Sequence, residues 1–129
     1  LLIARSLGFD LLVLCLMGLA AIIGHMHPIY YKFRGGKGVA TSLGVLLGIN
    51  WVLAIVWIAV WVSSAKLTSY SSLAALVATA SLPIVAYFMH LPMIIIYLTS
   101  AIAILVIWRH QSNIRNLLAG KESKIGKKN

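Results

Sequence analysis

Acidic side chains are nearly missing from this chain. Asp10 and Glu122 are the only two among 129 residues, against eleven Lys and Arg. That scarcity leaves no Asp–His dyad for catalysis, and four histidines without acids to join them give no support to a metal centre. There is one cysteine, Cys15, so no disulfide can form within the chain. Charged residues make up only 10% and apolar ones 61%, with a mean hydropathy of +0.98, whereas a soluble domain is nearer to about 25% charged. A chain this short cannot hide so much apolar surface in one core, so the bilayer must act as solvent. In hydrocarbon every backbone polar group needs an internal partner, which leaves helices or closed barrels. The apolar runs are continuous and do not alternate with period two. The fold class expected is therefore all-α, a polytopic membrane helical bundle of about four to five helical segments, forming a single domain over 1–129.

What charge exists is clustered. Lys32, Arg34 and Lys37 form one group; Arg109, Arg115, Lys121, Lys124, Lys127 and Lys128 form another around Glu122. Basic groups flanking apolar spans mark the cytoplasmic side, and residues 109–129 read as a basic, solvated cytoplasmic tail. The groups sit at membrane edges without interleaved aromatics, which argues against nucleic acid as a partner. Membrane lipids are the partner that composition does imply. The chain starts at Leu1 with no charged leader segment before its first apolar run, which predicts a start downstream of the true N-terminus.

Along the chain, residues 1–24 carry a first span, strongest from Leu11 to Gly24, with Asp10 near its start facing the bundle or the interface. Residues 25–40 are a polar loop. Residues 38–65 contain no Asp, Glu, Lys or Arg; 63–72 form a second polar loop; 67–108 suffice for two spans of about 20 residues each, with Pro83 and Pro92 bracketing the turn near His90. If 38–65 crossed once, the two basic groups would face opposite sides, against the positive-inside rule. The sequence therefore predicts that 38–65 enters and returns, broken near Gly48–Asn50. One straight helix, with another segment failing to cross, is the competing path. The four tryptophans, Trp51, Trp57, Trp61 and Trp108, read as interfacial anchors.

The sharpest local feature is Arg34-Gly35-Gly36-Lys37-Gly38. Glycines let backbone N–H groups approach an oxyanion, and successive N–H groups in a turn form an anion nest. A helix beginning after Val39 would aim its positive end at a bound anion. The spacing is not that of a nucleotide-binding P-loop, which needs Ser or Thr after the lysine where this chain has Gly38. On local features alone, a phosphate site and a tight topology-setting turn are equally supported. His110 ends the last apolar run with Asn113 three residues on, one helix face apart; the pair could position or polarise a substrate, and a capping role at the helix end is also open. No Gly-x-Ser-x-Gly elbow is present.

Three stretches line up with one family. Gly24-His25-Met26-His27-Pro28, followed by Phe33-Arg34-Gly35-Gly36-Lys37-Gly38-Val39-Ala40-Thr41, resembles the second signature of the bacterial acyl-phosphate:glycerol-3-phosphate acyltransferases, the PlsY family. Tyr70-Ser71-Ser72-Leu73 is similar to the family's Ser-Leu element. His110-x-x-Asn113-Ile114 with Gly120-x-Glu122-x-Lys124 resembles the third signature. His27 stands where the family has an aromatic, Arg34 where it has lysine, and Asn116 where it has arginine; the first signature would lie upstream of Leu1.

The resemblance implies an enzyme that moves a fatty acyl group from acyl phosphate to the 1-hydroxyl of glycerol 3-phosphate, giving lysophosphatidic acid, at the bacterial inner membrane with its site facing the cytoplasm. It implies no cofactor, no metal and no acyl-enzyme, and a piece lacking the first signature should be inactive alone. Carried over residue by residue, it assigns Arg34, Gly35, Gly36, Lys37 and Gly38 to phosphate binding, with His25 and Thr41 supporting that loop. Ser72 contacts substrate, and His110 and Asn113 are catalytic. Glu122 is structural, pairing with local basic residues to hold the tail. The rival from another class is a transporter or channel fragment with the loop as an anion filter, which the lack of ionisable residues within the spans after Asp10 weakens. A non-catalytic membrane scaffold is a third possibility.

Overall fold

The computed structural model describes residues 1–26 and 39–125, His25 and Met26 by backbone alone. Seven helices occupy the described residues: α1 (Leu2–Ser6), α2 (Leu11–Met26), α3 (Val39–Ile49), α4 (Trp51–Thr68), α5 (Ser71–Phe88), α6 (Met93–Arg109) and α7 (Gln111–Leu118). The bundle is all-α as expected, but more finely divided than four to five segments. Two helices, α4 and α5, are long and apolar enough to cross a membrane; the α6–α7 pair, bent by 63°, makes a third if counted as one span. Large apolar side chains such as Leu16, Ile55, Ile84 and Ile104 point outward, as lipid-facing positions should.

Each extra division has a local cause. The first span is not continuous over 1–24. Gly8 takes φ +86 after α1, and Asp10 then caps α2, its Oδ1 accepting the Val13 N–H at 3.0 Å. Asp10 is exposed at this helix start and does not face the bundle. The 63–72 loop shrinks to Ser69 and Tyr70, because α4 continues through Lys66 to Thr68 and ends on Ser69 in the left-handed region at φ 65. Pro83 lies inside α5 and does not bracket a turn. The turn is at 89–92, where His90 adopts φ 57 and the Leu91 N–H reaches the Ala86 carbonyl, the bond pattern of a Schellman stop. A proline inside a membrane helix is tolerated where neighbouring helices and hydroxyls meet the freed backbone groups. Residues 111–118 of the solvated tail are helical, and no residue of α7 is buried.

The interruption expected near Gly48–Asn50 falls at Asn50. Its backbone is extended, and its side-chain oxygen accepts the N–H groups of Val52 and Leu53, starting α4. Behind it, Arg5 Nη1 donates to the carbonyls of Gly48 and Ile49 at the end of α3, a cation where the helix dipole favours one. Val39 and Trp61 stand eleven residues either side of Asn50 and line the same cavity. Collinear helices would hold them about 33 Å apart at 1.5 Å per residue. The chain therefore doubles back at Asn50, with α3 and α4 antiparallel.

The core follows stripes at helical spacing. On α5 these are Ala74, Ala78, Leu82 and Ala86, mostly small residues that let backbones approach. On α6 they are Ile95, Leu98, Ile102 and Val106. Two tryptophans are not interfacial anchors: Trp57 is buried and donates Nε1–H to Thr79 Oγ1 at 3.1 Å across the α4–α5 interface, and Trp61 lines the cavity. Trp51 and Trp108 are exposed. The Trp57–Thr79 bond is buried, so Trp57→Phe and Thr79→Val should each cost about 1 kcal/mol. The double variant should cost less than their sum in detergent unfolding; strict additivity would mean the bond contributes nothing.

Candidate active site

A cavity of about 390 Å³ is lined by Val39, Trp61, Ser71, Ser72, Ala75, His110 and Asn113. It draws on the start of α3, the inner face of α4, the first turn of α5 and the α6–α7 junction. His110 arrives there because it extends the buried stripe of α6 one turn past Val106, and it is 3% exposed. The helix ends at His110, with φ -99 and ψ 19, and α7 leaves at an angle. Its Nδ1 lies 2.7 Å from the Val106 carbonyl. A carbonyl only accepts, so Nδ1 carries the proton in this bond.

Asn113 sits one turn into α7. Its Nδ2 donates to Glu122 Oε2 at 2.8 Å. A carboxylate cannot donate, so this fixes the amide orientation and turns Oδ1 away from Glu122. Oδ1 is buried, with no hydrogen-bond partner among the described residues. Ser72, in the first turn of α5, donates its hydroxyl to the same Oε2 at 2.7 Å. Glu122 reaches this point because α7 stops on Gly120 at φ 72, with the Lys121 N–H bonded to the Asn116 carbonyl. That left-handed turn, which glycine adopts without steric cost, sends the chain back over the site. The returning strand is held by the Ile125 N–H on the Ser69 carbonyl at 2.7 Å and by Lys124 Nζ 5.7 Å from the Tyr70 ring centroid.

The structure thus brings together Ser72, His110, Asn113 and Glu122, which the sequence spreads over fifty positions. Thr41 lies in the first turn of α3 but is not among the lining residues. His25 lies in the last turn of α2 by its backbone. Arg34, Gly35, Gly36, Lys37 and Gly38 fall outside the described residues; Val39, which follows them, lines the cavity. Glu122, expected to pair with local basic residues, accepts from Ser72 and Asn113. Sequence reading missed Val39, Trp61, Ser71 and Ala75. A signal existed for Trp61: Ala54, Trp57, Trp61 and Ala65 form one stripe of α4 at spacings of three and four, and the small residues in it mark a packed face.

The family model described as glycerol-3-phosphate acyltransferase matches residues 1–120. The chain is 48% identical over 123 residues to the glycerol-3-phosphate acyltransferase of Laribacter hongkongensis, covering 95% of this chain and 61% of that protein. It is 49% identical over 124 residues to that of Neisseria gonorrhoeae, covering 96% and 62%. Among solved structures it is similar to the crystal structure of PlsY, an integral membrane glycerol 3-phosphate acyltransferase, in its glycerol 3-phosphate form. The TM-score is 0.88 at 37% identity, over 95% of this chain and 62% of that one. The lysophosphatidic acid form of the same protein gives 0.87 at 37% identity. The chain spans about three fifths of the length of the relatives it matches. With Val39, Ser72, His110 and Asn113 lining one cavity, a membrane-embedded helical bundle around them and a family match over residues 1–120, the chain belongs to the glycerol-3-phosphate acyltransferase family.

Proposed function

We propose that the full-length protein transfers a fatty acyl group from acyl phosphate to the 1-hydroxyl of glycerol 3-phosphate at the cytoplasmic face of the bacterial inner membrane. The hydroxyl oxygen attacks the acyl carbon, the bond from that carbon to the phosphate oxygen breaks, and inorganic phosphate leaves with the electron pair. The product is 1-acylglycerol 3-phosphate. The hydroxyl proton passes to His110 Nε2 or to a substrate phosphate oxygen. The reading is carried by one observation: Ser72, His110 and Asn113 line a single cavity with Val39, the residue that follows the glycine turn.

The chemistry divides along that cavity. A buried amide oxygen such as Asn113 Oδ1 repels phosphate and suits a hydroxyl donor, so it holds the glycerol hydroxyl beside the His110 ring. An unsatisfied buried acceptor costs about 1–3 kcal/mol, and a bound hydroxyl relieves that cost. Arg34, Gly35, Gly36, Lys37 and Gly38 hold phosphate through backbone N–H groups and two cations, with His25 and Thr41 supporting the loop and Ser72 contacting substrate. Val39, which follows Gly38 in sequence, lines the cavity with His110 of the α6–α7 junction, which supports placing both basic groups on one, cytoplasmic side. Family membership leaves the transporter alternative without support.

The direct test is purified full-length protein with acyl phosphate and glycerol 3-phosphate, followed by product analysis. Absence of 1-acylglycerol 3-phosphate would end the proposal. Within that assay, Gly36→Ala should raise the KM for glycerol 3-phosphate by roughly tenfold or more, the loss of one or two charge-assisted backbone bonds, with a smaller fall in kcat. An unchanged KM would count against the phosphate loop.

A further inference from the structure

A separate cavity of about 260 Å³ lies at the α6–α7 junction, lined by Trp108, Arg109, Gln111 and Ser112. It shares no lining residue with the reacting cavity. Arg109 is its charged group. The side chain is half-buried, and its Nε is buried with no hydrogen-bond partner among the described residues. The chain has only two carboxylate side chains, and both are used elsewhere: Asp10 caps α2, and Glu122 accepts from Ser72 and Asn113. A guanidinium so placed costs free energy unless an anion meets it, and a phosphate matches its planar fork of donors. Gln111 and Ser112, both exposed, add an amide and a hydroxyl. An apolar track leads away from the cavity along α6. Tyr97, Ile104 and Trp108, seven and four residues apart, share one helix face and are each at least 50% exposed; Ile107 stands beside them. At 1.5 Å per residue the track runs for about 16 Å, and its indole end is of the kind that sits at headgroup level.

We propose that this cavity binds the headgroup phosphate of a diacyl anionic phospholipid from the surrounding bilayer. Arg109 pairs with the phosphate, Gln111 and Ser112 donate to headgroup oxygens, and the chains lie along Tyr97, Ile104 and Ile107. A lipid is favoured over free phosphate because the apolar track continues from the cation into the hydrocarbon. An anionic headgroup is favoured over a zwitterionic one because no carboxylate lines the cavity to receive an ammonium group. The lining residues stand on both sides of His110 in sequence, so a bound headgroup braces the 63° bend between α6 and α7 and stabilises the folded protein. The site is distinct from the reacting cavity and does not depend on the acyl-transfer reading.

The experiment measures binding of a tail-labelled phosphatidylglycerol to the full-length protein in neutral detergent, with the melting temperature read in the same micelles. Phosphatidylglycerol should bind saturably and raise the melting temperature; phosphatidylcholine should do neither. Arg109→Gln should weaken binding about tenfold, the loss of one charge-assisted contact. Arg109→Lys keeps the charge without the fork and should recover part of the affinity. Gln111→Glu, nearly isosteric and at an exposed position, puts an anion in the cavity with Arg109 intact and should also weaken binding. Arg115→Gln removes an equal charge from the exposed side of α7 outside the cavity and should leave the Kd unchanged. Equal weakening by Arg115→Gln would mean that only the general surface potential acts, and would overturn the proposal. It is also overturned if Arg109→Gln keeps the wild-type Kd, as it would were another segment of the full-length protein to meet the guanidinium. Displacement of the labelled lipid by inorganic phosphate as readily as by unlabelled phosphatidylglycerol would make the site one for free anions. Displacement by glycerol 3-phosphate would put the lipid in the reacting cavity; either result ends the proposal.

Discussion

Replacing His110 by alanine in the full-length protein should lower the rate of acyl transfer by roughly 10²- to 10⁴-fold, the range a positioned acid–base group contributes. The imidazole is buried, its Nδ1 proton is held by the Val106 carbonyl, and it lines the cavity with Asn113. Those three facts hold the ring by its Nδ1 edge at the wall of the cavity. Alanine also removes a buried ring, so loss of activity alone would not separate chemistry from packing. His110→Asn does separate them. An asparagine amide places its N–H close to where Nδ1 stands and can still reach Val106, but it has nothing at the Nε2 position. It should retain the melting temperature and lose the turnover. Asn113→Ala should fall in the same direction. Near-wild-type kcat/KM in His110→Asn would remove His110 from the reacting centre.

Much of this site was legible in the sequence, and the reasons differ by residue. His110 and Asn113 could be paired because three positions share a helix face, and the resemblance to the third signature gave them a role. The break at Asn50 followed from charge alone, since two basic groups could not face opposite sides. The finer divisions were hidden because each depends on a single backbone choice. Gly8 could have continued a helix but takes a left-handed φ beside the Asp10 cap. Pro83 looked like a turn because proline removes a helical bond, yet small residues around it let α4 and α6 pack closely and keep α5 whole. The serines and threonine between Ser63 and Thr68 read as loop because they are polar, but hydroxyls can return their bonds to the preceding turn, as Thr68 Oγ1 does to the Ser64 carbonyl at 2.7 Å. Glu122 was read by the charged residues nearest it in sequence, Lys121 and Lys124, both basic. Its partners Ser72 and Asn113 are brought to it by the Gly120 turn, and nothing in local charge patterning encodes that return.

Glu122 therefore carries the other large expected effect. Its Oε2 is the common acceptor for Ser72 on α5 and Asn113 on α7, fifty and nine residues away. Both bonds are charge-assisted and only partly buried, so together they should stabilise the fold by about 2 kcal/mol after allowing for solvent. Glu122→Ala should lower the melting temperature accordingly and also cost activity, because Asn113 loses the bond that fixes which way its amide faces. Once that amide can turn, its Nδ2 competes with Oδ1 for the cavity, and a group that accepted a hydroxyl presents a donor instead. Glu122→Gln keeps one acceptor oxygen and should fall between the two in both readouts. The KM for glycerol 3-phosphate should rise more in Glu122→Ala than in Ser72→Ala, since only the former frees Asn113. Equal effects from the two, or a melting temperature and rate untouched by Glu122→Ala, would mean the carboxylate is a bystander and Asn113 is held by its own helix.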